Sequence, residues 1–395
     1  MTATAPRPTL EAVAERAGVS RATVSRVVNG AQGVRESLAE RVRRAVEELG
    51  YVPNQAARSL VTRRHQAVAV VAAEPETRVF ADPYFAQQLR GISKELTAHD
   101  NQLVLLLTEG REDHARVGRY LAGGHVDGAL VFSLHLHDPL PGLVRGAGLP
   151  TVFGGRPDWD DGGDDVVYVD SDNRGGARAA VRHLAGLGRD RIAHITGPLD
   201  QTSAADRLAG FRDVRAPGAG PEPVAHGDFT SHGGERAMRE LLDRCPGLDA
   251  VFAANDLTAA GALRVLRERG RRVPDDVAVV GFDDMLPVAE QTDPPLTTVR
   301  QDIEGMGRLM ARLLLRGLDD GAAGDAGTSR GAGTTWDAGT AWDAGATRGA
   351  ETARAVGTIE GVAAIDGVGA AGGGAPAATT SGVILPTTLI RRATT

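Results

Sequence analysis

From Gln66 onward, short apolar segments alternate with amphipathic segments, and this pattern constrains the fold more than any other feature. Ala67–Ala73 and Val277–Asp284 are typical apolar runs, whereas Asp256–Gly270 has helical spacing. Further strands are predicted to start near Leu103, Gly128, Pro150, Arg191 and Ala250, with a single final strand at Val383–Arg392. The alternation predicts an α/β core of two doubly wound parallel-sheet subdomains. Ligands of such folds bind beyond the carboxyl ends of the strands.

The first 50 residues have a different, purely helical pattern. Leu10–Ala17 is predicted as one helix, Gly18 as a turn, and Ser20 as the N-cap of a second helix that ends near Asn29. Gly50 is placed to end a third helix. The apolar stripe of that helix comprises Leu38, Val42, Ala45, Val46 and Leu49.

Charge is distributed unevenly along the chain, whose formal net charge is −7. Residues 1–64 contain 11 Arg and 6 Glu, so the acidic surplus lies in the remaining residues. A basic end on an acidic body favours a DNA-binding domain attached to a soluble partner domain. An Arg-rich, solvated helix face would have the same composition. We predict a helix-turn-helix domain over 1–50, a linker over 51–64 and an effector-binding core over 65–395.

The second helix of the N-terminal domain has two distinct faces. Val24, Val27 and Val28 are predicted to face inward. Arg21, Ala22, Ser25, Arg26 and Asn29 share the other face. A helix of this size fits the major groove, where Arg can read guanine and Ser, Thr or Asn can hold phosphates. The alternative is an ordinary helical hairpin with an Arg-bearing surface.

The linker at 51–64 contains a short helical pattern after Pro53. Asn54 is a candidate cap for a single turn that extends to Leu60. Such a turn is too short to be stable alone, so it would fold on DNA in a dimer, with Leu60 inserted between base pairs from the minor groove. A flexible tether is the alternative interpretation.

Residues 9–62 resemble the headpiece of the lactose-repressor (LacI/GalR) family of bacterial regulators. The resemblance is carried by Ala17–Ser20, Thr23–Asn29, Gly50–Asn54 and Ala57–Leu60. It implies that Arg21 and Ala22 read bases, that Arg26 is the family arginine, and that Ala57 and Leu60 contact the minor groove. The predicted DNA-binding set is Ser20, Arg21, Ala22, Thr23, Ser25, Arg26, Asn29, Tyr51, Asn54, Ala57, Arg58 and Leu60. Ala12 and Arg35 depart from the family pattern, which commonly has Asp at the first position and Ser or Thr at the second.

The rest of the chain is similar to the effector-binding core of the same family, which resembles periplasmic sugar-binding proteins. The resemblance implies that Tyr84, Phe85, Arg207, Phe229, Asn255 and Asp283 line a cleft between the two subdomains. Asn255 and Asp283 each end a predicted strand, and Phe229 offers a flat face to a sugar ring. Alternatively, Phe229 belongs to the core and Asp283 to a solvated turn. Arg156 is a weaker candidate.

No catalytic constellation, metal-ligand spacing or cofactor motif is found, so we predict no catalytic residues, no metal and no cofactor. A Gly-rich motif at 367–372 lacks the flanking strand and helix of a nucleotide site. Cys245 is the only cysteine, and no signal peptide or membrane span is present, which favours a cytoplasmic protein. A solute-binding protein would also need a signal peptide, and a sugar- or nucleoside-processing enzyme would need catalytic residues.

Two segments depart from the expected core. The segment 212–226 is shorter than is usual in the family and is rich in Pro and Gly. Residues of about 317–381 form a Gly/Ala/Thr-rich insertion that is predicted from its composition to be disordered. We therefore predict a homodimeric repressor that binds a pseudo-palindromic operator in double-stranded DNA. Its small-molecule effector is expected to be a sugar, with a purine as the open alternative.

Overall fold

A computed structural model describes residues 8–29, 33–52, 64–157, 166–215, 222–325 and 381–395. The chain divides into two compact units, one of residues 1–67 with 125–127 and one of the remaining residues. In the described part of the chain, no helix is long and apolar enough to cross a membrane.

The N-terminal unit contains the three predicted helices. They are α1 (Leu10–Ala17), α2 (Arg21–Val28) and α3 (Glu36–Leu49). The Thr9 and Ser20 hydroxyls cap α1 and α2, and Gly18 and Gly50 end α1 and α3 in the left-handed conformation that glycine adopts without strain. The three helices pack around a small core that includes Val13, Val24, Val42, Ala45 and Tyr51.

The second unit contains two six-stranded sheets, with helices between most successive strands. The first sheet has the order β11-β5-β4-β3-β1-β2. Its strands are β1 (Ala67–Ala72), β2 (Gln102–Leu107), β3 (Gly128–Phe132), β4 (Thr151–Gly154), β5 (Val167–Ser171) and β11 (Ser381–Leu385). The associated helices are α4 (Glu76–Ala81), α5 (Pro83–Ala98), α6 (Arg111–Ala122), α7 (Leu140–Gly146) and α13 (Ile303–Asp325). Val68, Leu130 and Val152 of the strands pack against Ile92 of α5 and Met310 of α13.

The second sheet has the order β12-β10-β9-β8-β6-β7. Its strands are β6 (Ile192–Thr196), β7 (Val224–His226), β8 (Ala250–Ala253), β9 (Ala278–Asp283), β10 (Thr297–Arg300) and β12 (Thr388–Ile390). Its helices are α8 (Asn173–Gly186), α9 (Thr202–Val214), α10 (Ser231–Arg244), α11 (Asp256–Glu268) and α12 (Leu286–Ala289). Separate apolar clusters cover its two faces, as expected for parallel strands that are buried on both sides.

The prediction of a single final strand is wrong. Val383–Leu385 belongs to β11, which pairs in parallel with β5, whereas β12 pairs antiparallel with β10 of the other sheet. Pro386 lies between them and has no N–H to donate to a ladder, so the strand breaks there. The sequence reading also missed β5, β7 and β10, which are short or rich in polar residues.

The start predicted for the insertion is also wrong. Helix α13 continues past Gly317 to Asp325, and Leu318 still packs against the core of the first subdomain. The apolar stripe of Leu314 and Leu318 extends the helical spacing into a segment that composition alone assigns to the insertion. Residues 326–380, and residues 216–221 of the shortened segment, lie outside the described residues.

Candidate functional site

A cleft lies between the two sheets of the second unit. The space in it that is not filled by protein atoms is about 740 Å³, and this figure includes the part that is open to bulk solvent. All six predicted effector-binding residues line it, as does Arg156. Further polar side chains on its walls are Arg78, Asp82, Ser133, Asp170, Asn173, Gln201 and Gln301. The site therefore has the form of a concave pocket with convergent polar groups, which is typical of small-molecule binding.

The carboxyl ends of parallel strands place the acidic and amide groups in this cleft. Asp170 lies in β5, Asn255 follows β8, and Asp283 ends β9. Asp283 and Phe229 adopt positive φ angles of 104° and 63°. Such angles are costly for residues other than glycine and are concentrated at ligand-binding and catalytic sites.

Arg207 and Asp283 form a buried ion pair at the base of the cleft. Nη1 of Arg207 lies 3.4 Å from Oδ1 of Asp283 and donates to the Ala254 carbonyl at 2.5 Å. Its Nε donates to Oδ1 of Asn173 at 3.0 Å. Burial raises the pKa of Asp283 to about 7, although the charge of Arg207 opposes this. A carboxyl group with this pKa can accept hydrogen bonds from ligand hydroxyls and can also donate one when it is protonated.

Asn255 and Phe229 have structural contacts as well as places in the cleft. Oδ1 of Asn255 accepts from the Thr258 backbone N–H and caps α11, while its Nδ2 donates to the Phe229 carbonyl. The Phe229 ring packs with Ala204 and Ala254 and still lines the cavity. Phe229 therefore packs in a small apolar cluster on one side and lines the cleft on the other.

A polar network that the sequence reading missed crosses from one subdomain to the other. Glu74, Ser133 and His135 come from the first subdomain, and Asp200 and Gln201 from the second. Nε2 of Gln201 donates to Glu74 at 2.8 Å, and Nδ1 of His135 lies 2.8 Å from Asp200. Hydrogen bonding to Glu74 is the main reason that the pKa of His135 is raised to about 9. Glu74 and Ser133 both follow predicted strands, and that signal would have identified them.

Arg156 forms a second connection between the subdomains. Its Nη2 donates to both carboxylate oxygens of Asp206 at 3.0 Å, and its carbonyl accepts from the Thr202 hydroxyl. Its backbone N–H also donates to Asp170, which Asn173 contacts from the second subdomain. Contacts from both subdomains therefore meet at two places along the cleft.

In the N-terminal unit, α2 presents the predicted DNA-reading face to solvent. Arg21, Ala22 and Arg26 are exposed, Thr23, Ser25, Val27, Val28 and Asn29 are partly buried, and Val24 is buried. Arg21 contacts Glu11 at 3.0 Å, and both side chains are exposed, so the pair is weak and a phosphate or base can replace it. Ser20 accepts from the Thr23 N–H, which leaves its hydroxyl engaged as a cap.

Tyr51 packs in the core of the N-terminal unit and is only 9% exposed. The structure gives this side chain a packing role that the DNA-binding prediction did not include, since an aromatic ring buries more apolar surface than most residues. Asn54, Ala57, Arg58 and Leu60 lie outside the described residues.

A helix-turn-helix unit with an exposed second helix and a two-subdomain α/β unit with a polar cleft occur in the same chain. Together they define a DNA-binding regulator that responds to a small molecule. In the described ranges, no group of three or more His, Cys, Asp or Glu side chains is arranged to hold a metal ion.

Comparison with known proteins identifies the family. Residues 9–54 match the profile of bacterial regulatory proteins of the lacI family, and residues 181–336 match a periplasmic binding protein-like domain. The chain is 52% identical over 313 residues to the HTH-type transcriptional regulator CelR of Thermobifida fusca, which covers 78% of this chain and 91% of that protein. It is 34% identical to the ribose operon repressor of Escherichia coli K12, over 78% and 92% of the two chains. The chain belongs to the LacI family and is a sequence-specific DNA-binding transcriptional regulator.

Solved structures confirm the predicted fold. A CelR–cellobiose complex superposes with a TM-score of 0.66 at 41% identity and covers 98% of this chain and 100% of its own. The lac repressor dimer bound to operator and an anti-inducer superposes with a TM-score of 0.71 at 26% identity, over 98% and 99% of the two chains.

Proposed function

We propose that this regulator is a homodimeric repressor whose operator affinity is controlled by a neutral sugar in the cleft, with a short oligosaccharide such as cellobiose as the leading candidate. The observation that carries the proposal is the composition of the cleft, which combines an aromatic face with carboxylate, amide and hydroxyl groups. A solved CelR–cellobiose complex, 41% identical to this chain, guides the choice of sugar.

The charge balance of the cleft favours an uncharged effector. Each of the three arginines that line the cavity is paired with a carboxylate: Arg78 with Glu74, Arg156 with Asp206 and Arg207 with Asp283. Asp82 and Asp170 add further carboxyl groups. A phosphorylated sugar would meet no surplus of positive charge here, so its desolvation would go uncompensated.

The arrangement of polar groups favours a sugar over a purine. Tyr84 and Phe85 meet edge to face, with ring planes at 86°, so they do not form a parallel pair that sandwiches a flat base. Phe229 supplies one flat face, and the carboxyl group of Asp283 lies in the same cavity. One stacking face with hydroxyl-binding groups beside it suits a carbohydrate ring.

On DNA, two chains present their recognition helices to the half-sites of a palindromic operator. Phosphate contacts supply much of the affinity, so binding weakens steeply with salt, while Arg21, Ala22 and Leu60 contribute specificity. Sugar binding stabilises one arrangement of the subdomains and thereby changes operator affinity, and the coupling is reciprocal. This role places the protein in the cytoplasm and requires no catalytic activity.

The test has two stages. Purified protein is first incubated with fragmented genomic DNA, and the bound fragments are sequenced; we expect enrichment of a short palindrome. Affinity for that operator is then measured with cellobiose, glucose, glucose 6-phosphate or guanine present. Cellobiose should change the affinity, whereas glucose 6-phosphate and guanine should not. A response to guanine alone would contradict the sugar assignment, and absence of an enriched palindrome would contradict operator binding.

A further inference from the structure

Arg78 lies on α4 and lines the cleft, although no sequence pattern singled it out. Its guanidinium carbon lies 5.6 Å from the centroid of the Phe229 ring, which belongs to the other subdomain. This distance is within the range of a cation–π contact. Arg207 lies at a similar distance, 5.7 Å, from the same ring, so Phe229 and the two arginines together form one wall of the cleft.

One donor of this guanidinium is buried without a partner. Nη1 of Arg78 lies 2.9 and 3.0 Å from the two carboxylate oxygens of Glu74. Nε of Arg78 is shielded from solvent and has no hydrogen-bond partner among the described residues. A buried N–H that is left unsatisfied is destabilising, so the protein contacts of this guanidinium do not satisfy all of its donors.

Glu74 holds Arg78 in this orientation. Glu74 is only 2% exposed, at the end of β1, and it also accepts hydrogen bonds from Ser133 at 2.7 Å and Gln201 at 2.8 Å. These contacts fix the carboxylate from both subdomains. Because the carboxylate is fixed, the guanidinium that it binds has little freedom to turn away from the cleft.

We infer that Arg78 is an effector-binding residue whose guanidinium donates to an acceptor oxygen of the bound sugar, and that Glu74 is its positioning residue. This inference rests on the proposed function and deepens it, because it assigns a specific donor contact from the first subdomain to the bound sugar. A sugar that contacts both Arg78 and Phe229 touches both subdomains and stabilises their closed arrangement.

The experiment measures cellobiose binding by titration calorimetry with the full-length protein. The variants are Arg78→Lys, which keeps the charge but removes the planar guanidinium, Glu74→Gln, and the double variant. Arg244→Lys is the matched control, since Arg244 also pairs with a glutamate, at 2.6 Å, but lies on α10 away from the cleft. The unfolding temperature of each unliganded variant is measured in parallel to detect loss of fold.

We expect Arg78→Lys to weaken cellobiose binding about 10- to 100-fold, the range for a hydrogen bond to a charged group. Arg244→Lys should bind as the wild type does. Glu74→Gln should weaken binding more in the wild-type background than in the Arg78→Lys background, because the part of its effect that acts through Arg78 is already lost there while its contacts with Gln201 and His135 remain.

The outcomes separate the inference from the proposed function. If the wild type binds cellobiose and Arg78→Lys binds it with the same affinity, the Arg78 contact is overturned and the sugar proposal stands. Equal effects of Glu74→Gln in both backgrounds would overturn its positioning role. Failure of the wild type to bind cellobiose, cellotriose or glucose would contradict the proposed function, and with it this inference.

Discussion

His194 lies fully buried in the second subdomain, between the rings of Phe211 and Phe252. The imidazole stacks at centroid distances of 5.2 and 4.8 Å from these rings. Its Nδ1 lies 2.9 Å from the Phe252 carbonyl, while its Nε2 has no partner among the described residues. Burial lowers the pKa of His194 to about 4, so the folded protein holds a neutral imidazole at neutral pH.

This environment predicts a loss of stability in mild acid. The imidazole takes up a proton at about pH 6.5 in the unfolded chain but only near pH 4 in the folded chain. Its contribution to the free energy of unfolding is therefore fully present above pH 6.5 and is lost as the pH falls from about 6.5 to about 4. The loss reaches about 3 kcal/mol of unfolding free energy. Urea unfolding of His194→Phe should show a smaller decrease between neutral pH and about pH 4.5. His232→Gln, at an exposed position, is the control and should follow the wild type.

Single residues of the cleft were predictable to the extent that they end strands. Asn255 and Asp283 follow apolar runs, and the carboxyl edge of a parallel sheet brings such residues together. Arg78 follows no strand, and its place in the cleft depends on a contact with Glu74 and on a ring from the other subdomain. No local pattern in the sequence encodes that contact.

At the scale of elements, α3 starts without a side-chain cap. Arg35 is the N-cap residue and makes no capping hydrogen bond, whereas Ser20 caps α2 by accepting from Thr23. Arg35→Ser should therefore add about 1 kcal/mol to the unfolding free energy of the N-terminal unit. Slower hydrogen exchange of the first amides of α3 would verify this. Ser20→Ala should produce the opposite change in α2, and equal exchange in both variants and the wild type would refute the capping argument.

A substitution on the exposed face of α2 is expected to change both the affinity for the operator and the preference for particular bases. Arg21→Ala should weaken operator affinity by about 1–3 kcal/mol and relax the preference at one base pair of each half-site, because the residue is expected to contact base edges. Competition binding with single-base operator variants measures both effects. Arg43→Ala is a suitable control, because Arg43 is an exposed arginine on α3 that pairs with Glu36 at 2.8 Å. A uniform loss across all operator variants would instead indicate a phosphate contact.

The sequence predicted the N-terminal helices correctly, but it did not predict how the last strands pair. In the N-terminal unit, side-chain caps start α1 and α2, a glycine ends α3, and the apolar stripes lie within a few residues of these signals, so the local sequence specifies the helices. The last strands do not have this property. β11 and β12 lie three residues apart and join different sheets, and only the positions of β5 and β10 decide which partner each one finds.

At the scale of the whole second unit, His135 links the subdomains in a way that depends on pH. It faces Glu74 and Asp200, and these contacts raise its pKa to about 9 from an ordinary value of 6.5. We therefore expect the cleft with these contacts formed, the closed cleft, to hold a proton that is released when the subdomains separate. Its extra stability is complete below about pH 6.5 and is lost as the pH rises through about 9.

Sugar affinity should consequently fall between pH 7 and about pH 9.5, provided that the sugar binds the closed cleft. Titration calorimetry with cellobiose across this range measures the effect. His135→Gln keeps a hydrogen-bonding side chain but cannot titrate, so its affinity should be lower at pH 7 and should change less with pH, the remaining change near pH 7 coming from Asp283. A wild-type profile that is flat, or that is reproduced by His135→Gln, would remove His135 from the closure mechanism.

The sequence by itself determined the class of the protein. The periodicity of apolar residues, the helix caps and the turn residues are signals that extend over only a few positions. They specified the three-helix N-terminal unit, the parallel α/β core and the strand ends that carry Asn255 and Asp283. The family resemblance added Tyr84, Phe85, Arg207 and Phe229, all of which line the cleft.

Only the tertiary structure decided how those parts complete the site. It packed Tyr51 into a core, extended α13 past Gly317, divided the final segment between two sheets, and joined Glu74 to Gln201 across 127 positions of sequence. Such contacts depend on chain segments that are distant in sequence and meet only after both sheets have formed. A local pattern specifies which face of an element is apolar, but the partner of a buried charge is set by the packing of the whole unit.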